Sequence, residues 1–178
     1  MKYLLKSRGL NHFEFCFGQN TSTFSYQYDI TVIAYGNGKF VAEGFYYNND
    51  NKTATSSDGV TWTNAGDNIG FLAQAIAYGN SKFVAVSPTI YTKYSTDGVT
   101  WTAGNNTGIT STFAIAYGNG KFVAGGGGGV VTSTNGATWT YVDLNSTFGI
   151  YHTISAIAWG NGKFVAGSAN GKMAYSSN

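Results

Sequence analysis

The stretch Ile-Ala-Tyr-Gly-Asn-Gly-Lys-Phe-Val-Ala at residues 33–42 decides the fold, because it returns three more times along the chain. The further copies occupy residues 76–85, 115–124 and 157–166. Ser81 replaces the second glycine in the first of these, and Trp159 replaces the tyrosine in the last. Successive copies begin 43, 39 and 42 residues apart. A period near 40 residues indicates a repeat architecture, in which each unit buries its apolar surface against the next unit.

A second motif follows each copy of the first. Ser-Asp-Gly-Val-Thr-Trp occupies residues 57–62, and related hexapeptides occupy residues 96–101 and 134–139. The sequence ends within the fourth copy, at Ser-Ser-Asn of residues 176–178. We therefore expect three complete repeats and a fourth repeat that lacks its outermost strand.

The residues between these signals are typical of short β-strands. Ile-Ala-Tyr and Lys-Phe-Val-Ala flank Gly-Asn-Gly, whose residues readily take the positive φ of a tight hairpin. A second hairpin is predicted across Asp97 and Gly98, because Asp-Gly is a strong turn dipeptide. Each repeat thus holds four strands, whereas stripes of period 3.6, which would indicate helices, are absent.

Four antiparallel strands in about 40 residues, repeated along the chain, predict an all-β fold, a β-propeller of four-stranded blades. A lone blade leaves both faces apolar, so it is stable only when stacked on its neighbours. We expect a phenylalanine from each of the four repeats and a tryptophan from each of the three complete repeats to lie between blades: Phe40, Phe83, Phe122, Phe164, Trp62, Trp101 and Trp139. The predicted organisation is an N-terminal segment at 1–29, followed by propeller repeats over 30–178, divided as 30–71, 72–111, 112–153 and 154–178.

The hexapeptide resembles the Asp-box of bacterial neuraminidase-type propeller repeats, whose pattern is Ser-x-Asp-x-Gly-x-Thr-Trp. This version lacks one residue between Asp and Gly, and asparagine replaces Asp in the third and fourth copies. In that family the Asp-box is a folding element remote from the catalytic centre. The resemblance therefore implies a structural role for the motif residues, with side chains bonded to nearby backbone amides: Asp58, Trp62, Asp97, Trp101, Asn135 and Trp139.

The N-terminal segment offers a strand for closing the ring. Residues 7–13 have a degenerate likeness to residues 57–62, and residues 13–17 alternate as a half-buried strand does. We expect residues 12–17 to complete the fourth blade. They would seal a ring of four blades, or act in trans within a symmetric oligomer that has more blades.

Composition excludes several classes of function. One cysteine, Cys16, which we expect to be a small core residue, rules out an internal disulfide framework. Together with two histidines, His12 and His152, it cannot build a Cys/His metal site, so we expect no metal and no cofactor. A net charge of +2, with lysines spread singly, argues against nucleic acid as a partner. No run approaches 18 apolar residues, so we expect neither membrane insertion nor a standard signal peptide.

Catalysis is not expected either. Sialidase chemistry would need an arginine cluster for the substrate carboxylate, yet Arg8 is the one arginine in the sequence. Glu14 and Glu43 are the only glutamates, and a glycoside hydrolase, which needs paired carboxylates, stays a less favoured alternative. We expect His152 in a surface loop. We expect the five glycines at residues 125–129 to form a turn between middle strands rather than a phosphate cradle.

The candidate ligand contacts are four tyrosines in segments that look exposed: Tyr46, Tyr47, Tyr91 and Tyr94. Aromatic platforms mixed with Asn, Thr and Gly suit sugars and protein surfaces alike. The repeats also resemble those of bacteriophage tail, fibre and receptor-binding proteins and of bacterial surface proteins. That resemblance implies a recognition module for a host-surface glycan or receptor, placed on a virion or an extracellular surface, with other virion proteins or copies of itself as partners. The alternative is a purely structural virion subunit.

Overall fold

The computed structural model describes residues 29–45, 51–65, 69–148 and 152–176. They form four antiparallel sheets in chain order, which we call blades 1 to 4. Blade 1 holds β1 (Asp29–Gly36), β2 (Lys39–Phe45), β3 (Asn51–Ser56) and β4 (Thr63–Asn64). Blade 2 holds β5 (Ala75–Gly79), β6 (Lys82–Val86), β7 (Thr92–Ser95) and β8 (Thr102–Ala103). Blade 3 holds β9 (Thr110–Gly118), β10 (Lys121–Gly127), β11 (Gly129–Ser133) and β12 (Thr140–Val142), and blade 4 holds β13 (Ile154–Gly160), β14 (Lys163–Ser168) and β15 (Met173–Tyr175).

Within every blade each strand pairs with the next strand in sequence, so the connections are hairpins. In the described part of blade 4 there are three strands. The first hairpin of blade 1 pairs Gly36 with Lys39 across Asn37 and Gly38, whose φ angles are 50° and 71°. These are the left-handed conformations that asparagine and glycine tolerate best, as the sequence predicts.

The run of five glycines differs in part from its predicted role as a turn. Gly125 and Gly126 lie inside β10, and the chain reverses only at Gly128. A Cβ built at Gly125 would lie 2.5 Å from Cγ2 of Ile154 in blade 4, and one at Gly126 would lie 2.2 Å from the backbone oxygen of Ser111. The strand therefore needs glycine at these positions because neighbouring atoms occupy the space of a side chain.

A one-turn helix, α1 (Asn145–Phe148), interrupts the linker between blades 3 and 4. The sequence pattern did not predict it. The amide of Asn145 donates to Oδ1 of Asp143 at 2.8 Å, and the amide of Thr147 donates to the carbonyl of Leu144 at 3.0 Å. Local side-chain capping thus closes a turn that is too short to leave a periodic signal.

The first strands of successive blades lie side by side: β1 next to β5, β5 next to β9, and β9 next to β13. Each apolar cluster draws its residues from two adjacent blades. Val41 of blade 1 packs with Phe83 of blade 2, and Val84 of blade 2 packs with Phe122 of blade 3. The core of this protein is accordingly the set of interfaces between blades.

The predicted aromatic positions fill these interfaces unevenly. Phe83 and Phe122 are fully buried and Phe164 is nearly so, whereas Phe40, in the first blade, remains partly exposed. Trp101 packs against the clusters between blades 1 and 2, and Trp139 packs against the cluster between blades 2 and 3. The exception at Phe40 follows from its position, because no described blade precedes the first one.

The prediction for His152 was wrong. Its side chain is buried, with 3% exposure. Its carbonyl accepts a hydrogen bond from the amide of Gly128 at 3.1 Å. The next residue, Thr153, forms an isolated antiparallel β-bridge with Gly127, and its carbonyl accepts the amide of Ala169 at 2.9 Å. The linker therefore runs between blades 3 and 4 and is enclosed on both sides, rather than lying on the surface.

Several predictions fall outside the described residues. They concern the N-terminal segment, of which only Asp29 is described, the closing strand at residues 12–17, Cys16, and the tyrosines Tyr46 and Tyr47.

The close approach between blades gives a test of the packing. A Cβ built at Gly79 of blade 2 would lie 2.0 Å from Cγ of Tyr117 in blade 3, so we expect Gly79→Ala to lower the free energy of unfolding by about 1–3 kcal/mol. In a Tyr117→Ala background the same change should cost much less, because the obstructing ring is gone. Urea denaturation of the four proteins measures the coupling; equal costs in both backgrounds would contradict the proposed packing.

Candidate interaction surface

In blades 1 to 3, the turn between the third and fourth strands is built around one carboxylate or amide. In blade 2, Oδ1 of Asp97 accepts the amides of Val99 and Thr100, each at 2.8 Å. The hydroxyl of Ser95 donates to the same oxygen at 2.8 Å and accepts the amide of Gly98 at 2.8 Å. One side-chain oxygen thereby satisfies two backbone donors that the turn leaves without carbonyl partners.

Blades 1 and 3 repeat this arrangement. Asp58 Oδ1 accepts the amides of Val60 at 2.8 Å and Thr61 at 2.7 Å. Asn135 Oδ1 accepts the amides of Ala137 and Thr138, both at 2.9 Å. The amide side chain thus makes the same two backbone contacts as the carboxylate, since both offer an acceptor oxygen.

Hydrogen bonds from the backbone hold both aspartates in their charged form. The amide of Thr61, then that of Val60, lowers the pKa of Asp58 to about 2. The amide of Val99, then that of Thr100, lowers the pKa of Asp97 to about 2. Neither group is tuned to exchange protons near neutral pH, which general acid or base catalysis requires.

These turns also clamp one blade to the next. A Cβ built at Gly98 would lie 2.5 Å from Cγ2 of Val41 in blade 1, so the turn sits directly on that valine. Lys39 Nζ of blade 1 donates to the carbonyl of Asp97 at 3.0 Å, and Lys82 Nζ of blade 2 donates to the carbonyl of Asn135 at 3.4 Å. The turn motif therefore supplies contacts between blades.

Sequence reasoning kept two glutamates, Glu14 and Glu43, as candidates for catalysis. Glu14 lies outside the described residues, and the structure places Glu43 inside the protein. It lies on β2 with no exposed surface, and its Oε2 accepts the amide of Ala73 at 2.6 Å. Burial raises the pKa of Glu43 to about 7, against the opposing effect of that backbone hydrogen bond. A substrate in solution does not reach this carboxyl group.

The structure separates the two described candidate tyrosines. Tyr91, just before β7, is 60% exposed. Tyr94, on β7, is partly buried against the cluster between blades 2 and 3, and Lys82 Nζ lies 4.8 Å from its ring centroid. Of the two, only Tyr91 presents most of its ring to solvent.

Sequence reasoning missed a second exposed tyrosine near the same edge. Tyr141 on β12 is 46% exposed, and its hydroxyl donates to the carbonyl of Gly128 at 2.9 Å. Gly128 connects the second and third strands of blade 3, and Tyr91 lies in the corresponding connection of blade 2. We call the edge formed by these connections the tyrosine edge. The signal available in the sequence was weak, because Tyr141 occupies a position that is not aromatic in the other repeats.

The described residues contain no cluster of three or more His, Cys, Asp or Glu side chains that could hold a metal ion. In the same part of the chain, no helix has the length and apolar character needed to cross a bilayer.

No protein-family model and no curated protein sequence matches the chain. Among solved structures, the computationally designed Ika4 protein is similar, with a TM-score of 0.64 and 16% identity over 90% of this chain and 98% of that one. The structure of YCF48 bound to D1 peptide is similar, with a TM-score of 0.63 and 14% identity over 89% of this chain. A chain of a nidogen/laminin complex is also similar, with a TM-score of 0.60 and 11% identity over 79% of this chain. The match spans only 52% and 57% of those two longer chains.

These neighbours are β-propellers, which confirms the predicted all-β fold with four-stranded blades. At 11–16% identity they establish the fold alone. The relation of the turn motif to neuraminidase-type repeats stays a prediction.

The hydrogen bonds of Asp97 predict how two substitutions of this residue change stability, and how its own contribution to stability varies with pH. Asp97→Ala removes the acceptor for two amides, so we expect a loss of about 1 kcal/mol, or about 2–4 °C in Tm, whereas Asp97→Asn should cost less because Asn135 does the same task in blade 3. Since the folded pKa is lowered, the charge contribution of Asp97 is present above pH 4 and is lost as the pH falls toward 2. Thermal melts from pH 2 to 7 check this; equal Tm values for both variants would contradict it.

Glu43 predicts the opposite pH dependence. Because its folded pKa is raised from 4.5 to about 7, its penalty is absent below pH 4.5 and grows as the pH rises through 7, to on the order of 3 kcal/mol. We expect Glu43→Gln to remove this slope and to be more stable than wild type at pH 8. Glu43→Ala, which leaves the amide of Ala73 unpaired, should be less stable than Glu43→Gln at every pH. Chemical denaturation at pH 4.5, 6 and 8 measures the effect, and parallel pH profiles for wild type and Glu43→Gln would rule it out.

Proposed function

We propose that the protein is a non-catalytic recognition module that binds a cell-surface glycan or receptor through its tyrosine edge. The observation that carries the proposal is the exposed ring of Tyr91, held on an ordered connection. Ser87 Oγ donates to the carbonyl of Tyr91 at 3.1 Å, and the amide of Thr107 donates to the carbonyl of Ile90 at 3.1 Å. A rigid aromatic platform flanked by hydroxyl and amide groups binds sugar faces with little loss of conformational entropy.

The structural roles of the described carboxylates support the proposal that the protein is non-catalytic. Asp58 and Asp97 are used in turns, Asp143 caps α1, and Glu43 is buried. Glycoside hydrolysis needs two carboxyl groups that face the same accessible bond. Among the acids that the structure describes, only Asp29 has no such structural assignment.

Two propeller neighbours support recognition in general terms. YCF48 is seen with a D1 peptide, and the nidogen/laminin structure is a complex. Propeller scaffolds therefore carry binding surfaces in proteins of this shape, and we extend that use to this chain. Its placement on a phage virion, a tail fibre or another extracellular surface rests on the resemblance of its repeats.

The second candidate function is a structural subunit of an assembly. The exposed apolar residues on the outer faces of the first and last blades favour it: Ile33, Tyr35, Val165, Met173 and Tyr175. Such residues on a folded surface mark an interface when they are contiguous.

We expect Tyr91→Ala and Tyr141→Ala each to weaken glycan binding by about tenfold, because each removes an aromatic contact from the edge. Asn119→Gly is the matched control: it lies in the hairpin at the opposite end of blade 3, and its φ of 45° accepts glycine without strain. Glycan-array binding followed by calorimetry on the best saccharide measures the effect. Wild-type protein that binds no saccharide, or binding lost equally in the control, would overturn the proposal.

A further inference from the structure

Successive blades make the same aromatic contact at each junction. Tyr78 of blade 2 lies over Gly36 of blade 1, where a Cβ would come within 1.9 Å of the ring. Tyr117 lies over Gly79 in the same way, at 2.0 Å, and Trp159 of blade 4 lies over Gly118, at 2.1 Å. Each blade thus has an aromatic ring on one face and, on the other face, a strand glycine that leaves room for the ring of the next blade. We call this glycine position the glycine cradle.

Two further contacts follow the same direction. The turn glycine of one blade covers a valine of the preceding blade: Gly98 covers Val41, and Gly136 covers Val84, where a Cβ would lie 2.4 Å from Cγ2. The lysine two residues before that valine, Lys39 or Lys82, donates to a carbonyl of the covering turn. The junction between blades 1 and 2 and the junction between blades 2 and 3 are therefore built from a directional set of three contacts.

In the last blade, the corresponding residues make no contact of this kind with another described blade. Gly160 has nothing within 4 Å of its Cβ position and is exposed, whereas Gly36, Gly79 and Gly118 are buried. Val165 is 36% exposed, whereas the corresponding Val41 and Val84 are fully buried. Lys163, two residues earlier, is also exposed.

The first blade carries the other half. Tyr35 is 59% exposed, although its counterparts Tyr78 and Tyr117 are partly buried on glycine cradles. Gly59 is exposed, while its counterpart Gly98 is buried against the preceding blade. Blade 1 therefore presents the ring and the turn that the outer face of blade 4 is shaped to receive.

We propose that blade 4 of one copy of this chain receives blade 1 of a second copy, head to tail. Tyr35 of the second copy would lie on Gly160, its Gly59 would cover Val165, and the carbonyl of its Asp58 would accept Lys163 Nζ. This is the contact set that already joins blades 1 and 2, formed between two molecules.

The choice of a second copy rests on the match between the two end faces of the chain. Among the described residues of one chain, these two faces stay exposed and do not cover each other. Each face carries the half of the contact set that the other face lacks. Two copies joined head to tail use both faces of both molecules and leave no open end.

The first test is the solution mass of the full 178-residue chain by light scattering after gel filtration. We expect twice the 18.9 kDa of one chain. Tyr35→Ser and Gly160→Val, which disrupt opposite faces, should each weaken the dimer by about tenfold or more. Tyr91→Ser is the matched control, since Tyr91 has almost the same exposure, 60%, but lies away from both end faces.

The second test mixes the two disruptive variants. In a heterodimer of one Tyr35→Ser chain and one Gly160→Val chain, one of the two junctions joins an intact Gly160 face to an intact Tyr35 face. An equal mixture of the two variants should therefore recover dimer, whereas each variant alone stays largely monomeric. Far-ultraviolet circular dichroism of each variant confirms that its blades are folded. A monomeric wild-type chain, a dimer that survives both substitutions, or a mixture that stays monomeric would overturn the proposal. Saccharide binding is measured separately and does not affect this outcome.

Discussion

The structure depends on a steric constraint: an aromatic ring of each blade occupies the place where a side chain of the preceding blade would be. Gly36, Gly79 and Gly118 each lack a Cβ at the point where Tyr78, Tyr117 and Trp159 lie. Glycine in a strand costs backbone entropy, and the cost is offset by burial of a large ring at each junction. Because the same strand positions meet at all three described junctions, one local rule sets the stacking of the four described blades.

The same packing gives the most distinctive sequence motif a structural role. Its Asp or Asn side chain closes a turn, and that turn covers the valine of the neighbouring blade. A carboxylate whose oxygen is shared among two amides and a hydroxyl has a lowered pKa and no freedom to approach a ligand. The proposed recognition surface lies at the opposite edge, where the connections between second and third strands differ from blade to blade.

Sequence periodicity was sufficient for the blades, their hairpins and the burial of Phe83 and Phe122, because those features repeat. It was insufficient for residues whose surroundings do not repeat. His152 is buried because an aperiodic linker runs between two blades, and Tyr94 is partly covered by the next blade although its own segment looks polar. Tyr35 is the reverse case. It is the same residue type as its counterparts in blades 2 and 3, yet it is exposed because no described blade precedes blade 1.

Glu43 is an ionisable residue at a repeat position that carries no ionisable residue in the other repeats. The repeat places it at the position of Val86 and Gly125, which face the following blade without a charge. Here the linker that enters blade 2 brings the amide of Ala73 to the interface, and an apolar residue would leave that amide unsatisfied. A protonated carboxyl satisfies the amide at low pH, whereas ionisation above pH 7 places a charge between blades 1 and 2. We therefore expect the packing between blades 1 and 2 to weaken as Glu43 ionises, whereas the described junctions between blades 2, 3 and 4 have a valine or a glycine at this position.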